Sequence, residues 1–75
     1  MSLLPYEDKI IRVTDKWGKI FTGAAVSFPP EYGLLEFDRE EDSIKINNYQ
    51  VFASDIAEIK ELPNISVIRA TETWQ

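Results

Sequence analysis

The chain has no cysteine and no histidine. Without thiols there is no disulfide framework, no thiolate nucleophile and no thiolate metal site. With imidazole missing too, the usual zinc, copper and haem ligand sets cannot be assembled from these residues. General acid–base chemistry near neutral pH would fall to a shifted carboxylate, lysine or tyrosine. Ser27, Ser43, Ser54 and Ser66 have no histidine to activate them, and no S-x-x-K pair stands in for one. The three glycines are isolated at positions 18, 23 and 33, so no glycine-rich phosphate loop is present. These absences predict a chain that is not an enzyme and carries neither cofactor nor metal.

Basic residues are scarce as well. Eight lysines and arginines face thirteen acids, for a net charge of −5, whereas nucleic-acid affinity rests largely on cations that neutralise phosphates. Only Lys9, Arg12, Lys16 and Lys19 lie near one another, with Glu7, Asp8 and Asp15 among them. Long apolar runs are missing: nowhere do about 18 apolar residues stand together, so no membrane-spanning helix is expected. Met1 to Asp8 has neither the basic region nor the apolar run of a signal peptide. Together with the absent disulfides, this predicts a cytoplasmic chain.

What remains is a small, apolar-enough polymer. Seventy-five residues, 44% hydrophobic and 12% aromatic, allow one domain with a thin core. A chain of this size buries only about 60% of the surface its unfolded form exposes. Turn signals separate short runs of period-two alternation, which is the all-β pattern. Lys9 to Asp15 places Ile11 and Val13 on one face, and Asp15-Lys16-Trp17-Gly18 supplies a tight turn. Lys19 to Phe28 is the second strand: Ile20, Thr22, Ala24, Val26 and Phe28 share one parity, and Gly23 marks a bend. Pro29 and Pro30 remove backbone donors and break the strand. Leu34 to Asp38 is expected as the third strand with Leu35 and Phe37 inward. Ser43 to Asn47 is the fourth, with Ile44 and Ile46 inward, resuming after Asn48 through Tyr49, Val51 and Phe52. A single 3₁₀ turn over Ala53-Ser54-Asp55 precedes a fifth strand from Ile56 to Leu62. Leu3 to Asp8 reads as a short helical turn, with Pro5 near its start. The expected architecture is a small, five-stranded, strongly bent SH3-like barrel over residues 1–62, followed by a C-terminal extension over 63–75.

This order of elements resembles the Sm-like (LSM) domain over about Leu3 to Leu62. The first Sm motif is similar in rhythm to Gly23-Ala24-Ala25-Val26-Ser27-Phe28-Pro29-Pro30-Glu31-Tyr32-Gly33-Leu34, and the second to Val51-Phe52-Ala53-Ser54-Asp55-Ile56-Ala57-Glu58-Ile59. Sm-like proteins that hold RNA use an aspartate and an asparagine in the first-motif loop and an arginine-glycine pair in the second. Here those positions read Pro29 and Gly33, and Phe52-Ala53. The family's RNA site therefore does not carry over; what the resemblance implies is the fold and a tendency to self-associate through edge strands.

Three groups of residues invite a functional reading. Glu36, Asp38, Glu40, Glu41 and Asp42 form an acid cluster, but it lacks the calcium-loop spacing and holds Arg39 in its midst, so a solvated loop is expected. Among the aromatics, Trp17 sits at a hairpin tip and Tyr32 in a loop, and both are read as protein contacts of the kind that anchor interfaces. Pro29-Pro30 lacks P-x-x-P and reads as a rigid loop. In the C-terminal extension, Ile65, Val67 and Ile68 offer an added strand. The expected function is protein association, as a homo-oligomer or an adaptor, through Trp17, Tyr32, Ile65, Val67 and Ile68. The competing expectation is a divergent RNA-binding protein with a relocated site at Lys9, Arg12, Lys16 and Lys19.

Overall fold

The computed structural model describes residues 2–63. Five antiparallel strands form one open sheet in the order β4-β3-β2-β1-β5: β1 (Ile10–Asp15), β2 (Ile20–Phe28), β3 (Ser43–Ile46), β4 (Tyr49–Phe52) and β5 (Ile56–Glu61). One helix, α1 (Pro30–Phe37), lies between β2 and β3, and 3₁₀ turns occupy Leu4–Tyr6 and Ala53–Asp55. The bend falls within β2. Its first half pairs with β1, from Ile20 opposite Thr14 to Ala24 opposite Ile10. Its second half pairs with β3, from Ala25 opposite Ile46 to Phe28 opposite Ser43. At the bend, a Cβ on Gly23 would stand 3.1 Å from Ile46 Cγ2, so the missing side chain lets β3 close in.

Alternation sorts the strands into two faces. The inner face holds Ile11, Val13, Ala25, Ile44, Ile46 and Val51, all buried, with Phe21, Ile56 and Ile59 packed against them. Leu3 is fully buried in the same cluster. The N-terminal segment is thus a strap across the core, fastened by Leu3 N–H donating to Asp42 Oδ2 at 2.8 Å and by Asp8 N–H donating to Ala25 O at 3.0 Å. Glu7 Oε2 accepts from both the Ser27 amide (2.9 Å) and the Ser27 hydroxyl (2.6 Å). That pair of bonds holds the Glu7 carboxyl below its ordinary range.

The segment expected as the third strand is helical instead. Leu34 to Phe37 belong to α1, Asp38 ends it, and Leu35, expected inward, is 81% exposed. Pro30 sits where a helix needs no N–H, and Glu31 lies in the first turn beside the positive end of the dipole. The physical reason is the outer face of the sheet. Register puts Phe28, Ser43 and Phe52 on that face. Tyr32 stacks on Phe28 at 4.3 Å between centroids, and Phe37 meets Phe52 edge-on at 5.2 Å. A helix presents both rings to the sheet; a strand would have left Phe28 and Phe52 bare. Gly33 is the contact point. A Cβ there would collide with the Arg39 carbonyl oxygen and stand 2.9 Å from that of Glu41. Asp38 closes the helix in the left-handed region at φ +58°.

The other expected elements are present with small shifts. β3 and β4 are separate strands joined by Asn47-Asn48, with Asn47 at φ +57°. The 3₁₀ turn stands at Ala53–Asp55 and the last strand at Ile56–Glu61. Among the described residues no helix is long and apolar enough to cross a membrane.

Candidate association surfaces

The β1–β2 turn is built around one carboxylate. Asp15 Oδ1 accepts from the amides of Trp17 (3.0 Å) and Lys19 (2.8 Å), while Gly18 N–H returns to Asp15 O at 3.0 Å. The main chain is thereby fixed and Trp17 is carried outward, 71% exposed. A cation stands beside it: Lys16 Nζ is 4.8 Å from the indole centroid. Lys19 leans the other way, with Nζ 5.1 Å from the Tyr49 ring and 5.5 Å from that of Phe21.

A charged cluster ties this turn to the two loops that flank β3 and β4. Lys16 Nζ bonds Asp55 Oδ1 at 3.0 Å, and Arg39 Nη1 bonds Asp55 Oδ2 at 3.1 Å. Arg39 Nη2 and Nε both donate to Glu41 Oε2, at 2.7 and 3.0 Å, and the guanidinium covers Phe52 at 4.3 Å. Ser54 completes it, donating its amide to Glu41 Oε1 at 2.8 Å and accepting from Arg39 Nη2 at 2.7 Å. Lys16, and then Arg39, hold the Asp55 carboxyl below its ordinary range against the opposing effect of burial. Burial pushes Glu41 up, but the Ser54 and Arg39 bonds outweigh it and its carboxyl also lies low. Asp55 first, then Glu41, raises the Arg39 guanidinium.

The acid cluster is dispersed by these bonds. Glu41 faces Arg39 and Ser54, Asp42 faces Leu3, and Glu36, Asp38 and Glu40 are exposed. An open groove of about 560 Å³ runs past Ser2, Pro30, Glu40, Asp42 and Ala53. Among the described residues no three acids converge on a point where a metal ion could be held.

Of the residues expected to contact a partner, Trp17 stands free, as its place at the turn implied. Tyr32, read as an exposed loop aromatic, is instead on the inner side of α1, between Phe28 and Phe37 (6.0 Å). Ile65, Val67 and Ile68 lie outside the described residues. The four cations of the RNA reading run along β1 rather than converging. Lys9 at one end is 3.9 Å from Glu61, Arg12 is mid-strand between Thr22 and Lys60, and Lys16 and Lys19 are at the far end. Six residues of strand separate the ends by about 20 Å.

The edge strands, which the Sm-like resemblance implied as association sites, are β4 and β5 in the described sheet. The exposed side of α1, with Leu34 at 48% and Leu35 at 81%, is a surface that the expected strand, with Leu35 inward, does not offer. The signal that would have found it is Pro30-Glu31 as a helix start with Gly33 and Phe37 one turn apart. Compared with known proteins, the chain matches no family model, no curated protein and no solved structure.

Proposed function

We propose that the chain is a non-enzymatic, Sm-like barrel domain of the cytoplasm that works by protein association, with copies of itself or as an adaptor. The observation that carries this reading is the pair of sheet edges, β4 and β5, at opposite ends of a bent five-stranded sheet. Among the described residues each edge strand has a row of backbone donors and acceptors on its outer side, a template for a strand from another chain. Trp17, held outward on a rigid turn beside Lys16, supplies an aromatic anchor near the same region. The barrel and the Sm-like identity draw support from the bend at Gly23, from the strand order, and from the Arg39–Asp55–Lys16 cluster that draws the loops together.

Light scattering on a size-exclusion column over a range of concentrations tests this. The wild-type chain is expected to run as an oligomer. Lysines placed on the edges, Tyr49→Lys with Ala57→Lys, should lower the mass, as should Trp17→Ala. An unchanged mass in all of these variants would remove the edge reading. Binding of a single-stranded RNA that weakens steeply with salt and is lost on reversing Lys16 and Lys19 would favour the relocated RNA site instead.

A further inference from the structure

The outer face of the sheet is only half covered. α1 lies over Phe28, Ser43 and Phe52. On the rest of it, β2 runs through Val26 (45% exposed), Ala24, Thr22 and Ile20 (60% exposed), a mainly apolar stripe broken by one threonine, with no helix above it among the described residues. Register places Arg12 and Lys60 side by side on this same face, and Lys45 opposite Val26. Glu58, opposite Thr14, is the acid that shares it. In a chain of net charge −5, this surface is basic and apolar.

The exposed side of α1 has the complementary chemistry. It offers Leu34 and Leu35, with Glu31 one turn before Leu35, Asp38 one turn after Leu34 and Glu36 on the flank beyond Leu35, and α1 contains no lysine or arginine. A second copy, turned over by a two-fold axis, can set its α1 on that uncovered half-face while its own half-face receives the first. We infer that the chain forms an isologous dimer in which the acidic, leucine-bearing side of each α1 packs on the basic, apolar half-face of β1 and β2 of the partner. Residue i of one copy meets j of the other and j meets i, as a two-fold interface requires. The occupant is a second copy because one molecule carries both halves of the match, in charge and in exposed apolar side chains. This surface is separate from the β4 and β5 edges, so it stands whether or not the edges pair.

Sedimentation equilibrium of charge variants tests the inference. Arg12→Glu with Lys60→Glu should abolish the dimer, and so should Glu31→Lys with Glu36→Lys, because each places like charges together twice. Mixing these two monomeric variants should restore a dimer of about twice the 8.7 kDa chain, since every contact in the mixed pair is again between opposite charges. Leu35→Ser, at a position too exposed to disturb folding, acts twice by symmetry and should weaken the dimer about a hundredfold. Thermal melts of each variant confirm that the fold is kept. A dimer that survives both reversals and Leu35→Ser overturns the inference, and so does a wild-type chain that stays monomeric or a mixture that does not dimerise. Edge pairing is read separately, through Tyr49→Lys and Ala57→Lys: its failure removes assemblies larger than the dimer and leaves the dimer itself.

Discussion

Three residues show how narrowly this small core is held. Gly33 faces two carbonyl oxygens, of Arg39 and Glu41, at distances no side chain can share. Those oxygens are backbone and cannot swing away, so Gly33→Ala must push α1 away from the Arg39–Glu41 loop that follows it. It should lower stability by about 1–3 kcal/mol, the range of overpacking at a tightly packed position, read as a shift in the urea midpoint. Asp38 has the opposite sign. It already occupies the left-handed region at φ +58°, where a Cβ is a burden. Asp38→Gly is expected to stabilise the chain by about 0.5–1 kcal/mol in the same measurement. Leu3 is fully buried although it stands near the start of the chain. Leu3→Ala should cost about 2–4 kcal/mol, a large fraction of what a domain this small can have.

At the scale of elements, the charged cluster fastens the loop after α1 to the turn before β5, and the Glu7–Ser27 bonds fasten the strap to β2. All three carboxyls involved, Glu7, Glu41 and Asp55, lie below their ordinary range when folded. Groups of that kind bind protons more readily in the unfolded chain. Their stabilisation is therefore fully present above the unfolded carboxylate range and is lost as the pH falls through the lower folded values. Stability should be flat from neutral pH to the upper end of the carboxylate range and then decline, by about pH 4 and below. Arg39→Met should shallow that decline, because it removes the partner of two of the three groups. Urea midpoints from pH 7 to pH 3 for both chains check it; identical slopes would mean the cluster contributes nothing. The elements also show what the sequence reveals. Strands β1 and β2 are legible because alternation, as of Ile11 with Val13, continues long enough to tell period 2 from 3.6, and the four-residue β3 and β4 because Asn47-Asn48 punctuates the alternation of Ile44 with Ile46. Leu34 to Asp38 is not legible, since five residues fit either period. Gly33 argues locally against a helix; only the bare rings of Phe28 and Phe52 across the sheet decide for one.

The whole molecule combines a net negative charge with an uneven distribution of it, and that distribution could not be read from the sequence. Arg12 and Lys60 are 48 residues apart and become neighbours only through the β1–β5 pairing, while Lys45 joins the same face across β2, opposite Val26. Trp17 was legible because its turn is local; the half-face was not, because it is made by register. The two modes of association the structure offers respond differently to salt. Backbone pairing at β4 and β5 involves no net charges. Packing of α1 on the basic half-face sets exposed carboxylates against exposed cations, and such pairs are screened once the Debye length falls from about 10 Å at 0.1 M salt to about 3 Å at 1 M. The α1-mediated dimer should therefore weaken severalfold on raising sodium chloride across that range, while retaining the part that Leu34 and Leu35 supply. Assemblies held by the edges should keep their mass, because what they exchange is hydrogen bonds and apolar surface. Sedimentation at low and high salt, on the wild-type chain and on the Tyr49→Lys, Ala57→Lys variant, separates the two. A dimer in the variant that dissociates with salt belongs to α1 and the outer face, whereas one indifferent to salt is held by contacts other than those charges.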